Sequence, residues 1–244
     1  ANIAGAVIAP DVTSIRPVLS GPYRASVAVG LKVCESEFTL TYELCQDDPR
    51  LLIHLDGTWF QRGTRQTGVP VLRWSLPLAI SDAKARYEIP FGAIDRDLNN
   101  GVELPALQWA QVDGASGGSP AGALLLNDSK HGHSLDGDTL RLTLIRASYD
   151  PDPLPEIGRH EVHLALVPYG GSMSVARATQ MALAFNRALR VVGTDVHEGD
   201  LPTSAALLEV SPETVVLSAV KKAEDGDALV VRVYDAGGAD TTAR

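Results

Sequence analysis

Aromatic residues make up only 5% of this 244-residue chain, which holds just two cysteines and two methionines. A core so poor in rings must be aliphatic, built from Leu, Val, Ala and Ile. No apolar run reaches the ~18 residues that a membrane helix needs. Positive charge is also short: 21 Lys and Arg stand against 30 Asp and Glu, a formal charge of −9. That balance excludes nucleic acid and anionic membrane surfaces as partners, because both require clustered cations. No block of five or more like charges occurs, so there is no acidic tail. The opening ANIAGAVIAP lacks the basic stretch of a signal peptide. It begins with Ala1 rather than Met, as expected of a processed chain or a piece of a longer one.

The two cysteines, Cys34 and Cys45, flank a run that reads as a strand. Eight or more extended residues separate them by roughly 25 Å, well beyond bridging distance. Two free thiols and a reducing compartment, the cytoplasm, are expected, with both thiols acting as small buried hydrophobes.

What is present is period-two alternation. Residues 1–20, punctuated by Pro10 and Pro17, read as an irregular linker. From Ala25, strands are expected at 25–33, 37–44, 50–56 (ended by Gly57) and 72–78. Pro90 and Gly92 mark 85–94 as an edge or bulged segment. DRDLNNG (95–101) reads as a loop, 103–112 as a strand, and the Gly, Ser, Ala and Pro of 113–122 as a flexible loop. Ala123–Leu126 is long enough for a buried strand. After an Asp136-Gly137-Asp138 turn, Leu140, Leu142 and Leu144 should face one way, and Arg141, Thr143 and Ile145 the other. A loop with Pro151, Pro153 and Pro155 leads to a strand at 160–167, with Val162, Leu164 and Leu166 inward. Ser174–Arg190 reads as a helix capped by Ser172 or Ser174, with Leu189 on its apolar stripe. Strands return at 206–210, 213–222 and 228–236. The expected fold class is all-β: a large antiparallel β-sandwich with one amphipathic helix around 174–190. The expected divisions are a linker at 1–20, the main sandwich at 21–200 and terminal strands at 201–244.

Most candidate chemistry yields to simpler readings. The carboxylate pairs Asp47/Asp48, Asp136/Asp138, Asp150/Asp152 and Asp225/Asp227 all sit at turns, where Asp bonds its own backbone. A glycosidase needs two carboxyls facing across a cleft. His131 and His133 form an HxH with no third ligand placed by spacing, so no metal site is expected. Ser129-Lys130 lacks the helical S-x-x-K spacing of a Ser-Lys pair. The sharpest feature is Asn127-Asp128-Ser129-Lys130, a polar cluster where an apolar run stops. Its donors and acceptors suit sugar hydroxyls, and they equally suit a well-bonded strand-end turn.

The stretch GALLLNDSKHGHSLDGDTLRLTLIRASYDPDP, followed by GRHEVHLALVPYGG, resembles the C-terminal β region of family 38 glycoside hydrolases, the retaining α-mannosidases. Leu125–Lys130, Gly132, Leu140–Leu144, Arg146, Pro151–Pro153, His160 and Pro168 carry the match. GPYRA (21–25), YEIPFGAI (87–94), LPALQW (104–109), the helix end AFNRAL and LSAVKKAEDGDALVVRVYD (217–235) support it.

The resemblance implies a β super-sandwich of the galactose-mutarotase type. It also implies that the nucleophile, the acid and the ligands of a divalent metal, usually zinc, lie in an N-terminal barrel outside these residues. No catalytic residue and no cofactor are therefore expected in this chain. Its expected partners are its own catalytic domain, a mannoside substrate and copies of itself in a homo-oligomer. Asn127, Asp128, Ser129, Lys130, His131 and Gly132 are the expected wall of the sugar pocket, with His131 and His133 standing where the family commonly has Tyr. The rival expectations are a free-standing carbohydrate-binding module, stacking sugars on Trp59, Trp74 or Trp109, and a purely structural sandwich.

Overall fold

Alternating apolar and polar residues give most strands one face to bury, and two sheets accept those faces. The computed structural model describes residues 2–3, 6–96, 100–152, 154 and 156–244. In chain order the strands begin with β1 (Asn2–Ile3), β2 (Ala6–Val7), β3 (Asp11–Ser20), β4 (Arg24–Val33), β5 (Ser36–Cys45) and β6 (Leu51–Trp59). Next come β7 (Val71–Pro77), β8 (Ser81–Ile89), β9 (Gly92–Arg96), β10 (Leu104–Pro105), β11 (Trp109–Ser116) and β12 (Ser119–Asn127). β13 (Gly132–Asp136), β14 (Thr139–Arg146) and β15 (Gly158–Gly170) precede the helix α1 (Val175–Asn186), and β16 (Val215–Lys222) and β17 (Leu229–Asp235) close the chain.

One sheet has nine strands in the order β3-β4-β5-β6-β15-β12-β11-β8-β9. The other has six, β10-β13-β14-β7-β1-β2, and β16-β17 form a separate hairpin. All pairings are antiparallel, so this is the all-β antiparallel sandwich with one helix that the alternation predicted. The main core lies between the two sheets. Phe38, Ile53, Leu55, Leu125, Val162 and Leu164 come from the larger sheet, and Leu72, Leu135, Leu140 and Leu142 from the smaller.

A second, smaller core lies on the opposite face of the nine-stranded sheet. There Trp109, Leu124, Leu126, Ala165 and Val167 pack against Ala178 and Ala182 of α1. β12 therefore feeds both cores: Leu124, Leu125 and Leu126 are each fully buried. That explains its continuous apolar run, since a strand covered on both faces has no wet side to mark with polar residues.

Several expectations are corrected. Residues 1–20 are not an irregular linker, because β3 occupies Asp11–Ser20 and pairs along β4. The alternation failed there because β3 is an edge strand whose ten residues are all exposed, so no buried face patterned it. The 113–122 segment is a hairpin, β11 to β12, turned by Gly117 and Gly118 at positive φ. The 85–94 and 103–112 segments each divide in two, into β8 and β9 and into β10 and β11. Gly57 does not end its strand but lies within β6, where a Cβ would stand 2.3 Å from the Glu37 carbonyl oxygen. Ile145 is buried with the leucines rather than facing out, because a bulge between Thr143 and Ile145 resets the alternation.

Residues 206–210 form no strand, and Leu207 and Leu208 are exposed there. The helix stops at Asn186, leaving Leu189 exposed, and Ser174 is its cap, accepting from the Arg177 amide at 3.1 Å. Both thiols are free, yet Cys34 is exposed at its turn rather than buried. Asp97, Leu98 and Asn99 of the loop read at 95–101, and Pro153 and Pro155, lie outside the described residues.

Deleting most of a side chain from the main core should be costly, and doing the same on the bare edge strand should not. Leu125→Ala is expected to lower stability by about 2–5 kcal/mol, and Ile15→Ala by less than about 0.5 kcal/mol. Urea unfolding of the two variants checks this contrast.

Candidate functional site

β12 runs out of leucines at Asn127, and the chain turns there. Asn127 is wholly buried and bonded from every side. Its Nδ2 donates to the Leu107 carbonyl at 3.1 Å, and its Oδ1 accepts the Lys130 amide at 2.8 Å. Its own amide donates to the Gln108 carbonyl at 2.9 Å. Its carbonyl accepts from Asn186 Nδ2 at 3.1 Å, which ties in the last turn of α1. The side-chain bond to the amide three residues on is the turn geometry that Asn favours.

The same 106–108 segment is gripped from its other side by Glu88. This carboxylate is almost fully buried and accepts the Gln108 amide at 2.6 Å. Burial pushes its pKa up, and the backbone amides of Gln108 and Trp109 pull it back. His131 adds a third grip, its Nδ1 lying 3.2 Å from the Ala106 carbonyl.

Asn127 therefore anchors the loop, and Asp128 and Ser129 stand exposed on it with Lys130 half-buried. Asp128 Oδ1 accepts from Ser129 Oγ at 2.8 Å. Its Oδ2 accepts from the His163 amide at 3.2 Å and faces His163 Nδ1 at 2.8 Å. Ser129 and His163 thus meet the same carboxylate and not each other, so no imidazole contacts the hydroxyl and these three residues do not form a Ser-His-Asp triad. Among the described residues, the Lys130 ammonium has no carboxylate partner. Asp128 is the one carboxylate of the 127–132 loop and both its oxygens are engaged, so the loop does not supply a ligand set for the metal that the family resemblance implies.

Gly132 opens β13 beneath Glu103, where a Cβ would come within 2.7 Å of the carboxylate. Glu103 in turn accepts from Thr143 Oγ1 and, at 3.5 Å, from Arg73. His131 and His133 do not converge. His131 is exposed, while His133 is buried beside the Tyr87 ring at 5.6 Å with neither ring nitrogen bonded. Burial holds the His133 pKa down to about 4. Trp59 and Trp109, which sequence alone leaves open for stacking on a sugar, are wholly buried.

Sequence reasoning missed Glu88, which reads as one more polar residue in a strand, and missed the reach of Asp128 to His163. The signal for the second was the alternation itself: with Val162 and Leu164 inward, His163 must face out beside the end of β12.

A family model described as "Glycosyl hydrolases family 38 C-terminal domain" matches residues 3–154. A second, "Glycosyl hydrolases family 38 C-terminal beta sandwich domain", matches 214–244. The chain is 34% identical over 177 residues to the Homo sapiens protein named alpha-mannosidase 2C1, a match covering 68% of this chain and 16% of that one. It is 28% identical over 180 residues to alpha-mannosidase G of Dictyostelium discoideum, covering 70% of this chain and 16% of that one. A crystal structure of a glycosyl hydrolase family 38 protein from Enterococcus faecalis superposes with a TM-score of 0.76 at 16% identity, over 91% of this chain and 30% of that one. A structure titled as an alpha-mannosidase from Enterococcus faecalis V583 gives 0.74 at 15% identity, over 93% and 30%. The chain thus spans about a sixth of the length of these curated relatives.

Two variants separate the anchor from the buried imidazole. Asn127→Ala leaves the Lys130 amide and the Leu107 carbonyl without their partner and is expected to cost about 2–4 kcal/mol, measured by urea unfolding. For His133 the folded pKa lies below the unfolded value near 6.5, so the unfolded chain binds more protons in between. Stability should therefore fall as pH drops from about 6.5 toward about 4. About 2 kcal/mol should be lost from this group between pH 7 and pH 5. His133→Leu should remove that share, seen as a smaller shift of the guanidinium midpoint between the two pH values.

Proposed function

From the premise that this chain belongs to glycoside hydrolase family 38, as its C-terminal β region, we propose that it is the non-catalytic β domain of an α-mannosidase. The parent enzyme would hydrolyse terminal α-mannosides with retention in the cytoplasm. Its nucleophile, acid and metal ligands would lie in a catalytic domain outside these residues. This chain would buttress that domain and present the Asp128–Gly132 loop at the rim of the sugar pocket.

The observation that carries the reading is the loop's construction. Asn127, Glu88 and His131 hold its base with hydrogen bonds to backbone groups, while Ser129 is exposed and Lys130 half-buried. A rigid scaffold bearing free polar groups is what recognition of sugar hydroxyls requires. An ammonium without a carboxylate partner among the described residues is the most available donor of the group. The exposed edge strand β3, with Val12, Ile15 and Val18 on its surface, supports a docking role, since bare apolar edges are normally covered. The residues of the loop give no reason to expect turnover by this chain alone, because nothing there activates a nucleophile.

Two measurements test the proposal. The isolated chain should not cleave an aryl α-mannoside; turnover that survives purification and is lost on Asp128→Asn overturns the non-catalytic assignment. In the complete enzyme, Lys130→Ala should lower kcat/KM for the same substrate by about tenfold, the worth of one hydrogen bond from a charged donor, with the melting temperature unchanged. Kinetics equal to wild type would return Lys130 to an ordinary surface role.

A further inference from the structure

The alternation that buries Val162 and Leu164 of β15 turns Glu161 and His163 to the sheet's other face. β6 does the same with His54, between the buried Ile53 and Leu55. In the ladder, His163 lies directly opposite His54. Residues from two distant parts of the chain thus meet: His54 is 107 positions from Glu161.

Their ligand atoms lie close enough for one ion to gather them. His54 Nε2 lies 3.2 Å from Glu161 Oε1, His163 Nε2 lies 3.8 Å from the same oxygen, and a ligand atom from each of the three falls within 4.8 Å of the others. Donors around a tetrahedral zinc with bonds of 2.0–2.1 Å stand roughly 3.3 Å apart. The rest of the surroundings is arranged to match. Asp128 Oδ2 holds His163 Nδ1 at 2.8 Å. With the proton kept on Nδ1, the Nε2 lone pair is directed at the cluster. A carboxylate behind a ligating imidazole is the usual outer partner of a metal-bound histidine. Glu161 is oriented too: its Oε2 faces Arg159 at 3.8 Å, which leaves Oε1 to the histidines. The cluster opens on a groove of about 270 Å³ lined by Thr41, Glu43, Leu52 and Phe185, so water has room to complete the coordination.

We propose that His54, Glu161 and His163 form a divalent-metal site of the zinc type, with Asp128 as the positioning residue behind His163. Two histidines and a carboxylate with an open fourth position match the donor softness and number that zinc takes. The two imidazoles now stack at 4.5 Å with their planes 3° apart. Parallel rings keep their lone pairs in separate planes, so loading requires one ring to swing out of the stack. His54 would ligate through Nε2 as the tautomer that carries its proton on Nδ1. The site is independent of the catalytic metal of the family reading, since all its ligands are on this chain.

Calorimetric titration with Zn²⁺ of the chelator-stripped full-length protein tests it, with His54→Ala, His163→Ala, Glu161→Gln and Asp128→Asn alongside. Wild type should bind one equivalent more than either histidine variant, whatever other sites the protein holds. Glu161→Gln, the conservative change, should weaken that equivalent without altering the metal-free melting temperature. Asp128→Asn should weaken it by about 10- to 100-fold. Equal stoichiometry in wild type and a folded Ala variant overturns the site. Unchanged affinity in Asp128→Asn overturns the role given to that carboxylate.

Discussion

Burial of β12 on both faces is the constraint on which the rest of the molecule depends. Leu125 points into the space between the two sheets, and Leu124 and Leu126 point at α1. Each such side chain contributes about 1.5–3 kcal/mol through removal from water. Their alternation lets a single strand bind two otherwise separate layers. The small residues of the helix, Ala178 and Ala182, allow it to lie close on the sheet. Asn186 at its end then reaches the carbonyl of Asn127. Strand, helix and loop are thereby fixed to one another at a single residue.

That arrangement divides the polar cluster by function. A buried amide that is fully hydrogen-bonded costs little and rigidifies what it touches, whereas an unpaired one would be expensive. Asn127 and Glu88 meet that demand by bonding to the 106–108 segment. Asp128 and Ser129 bear no such burden and stand exposed, with Lys130 half-buried beside them. The proposed wall of a sugar pocket and the proposed metal cluster both hang from this point. Asp128, one residue beyond the anchor, is also the partner of His163.

The β3 edge is bare, with all ten of its residues exposed. Most ion pairs here are exposed and add little individually. Arg24–Glu43, Arg86–Asp95 and Arg159–Asp56 tie neighbouring strands across the wet side of the larger sheet. Stability rests on the two aliphatic cores instead, as the scarcity of aromatic residues requires. The two largest buried rings, Trp59 and Trp109, belong to separate cores.

Much of this was legible in the sequence, because period-two patterning survives wherever one face of a strand is buried. It marked β4, β5, β6, β7, β14 and β15, and helical spacing marked α1. The motifs at Leu125–Lys130, Leu140–Leu144 and Pro151–Pro153 carried the family resemblance that the match over residues 3–154 bears out. The same logic failed where no face is buried, at β3, and where a bulge at Ile145 or a glycine inside β6 changed the local rule. Only the tertiary structure decided which loop residues are anchors and which are presented, since Asn127 and Asp128 are adjacent in sequence and opposite in environment. Only it could bring His54 to Glu161 and His163, because pairing of β6 with β15 is a property of the sheet's strand order. A linear pattern records which face of a strand a residue takes, and it carries no record of the strand lying beside it.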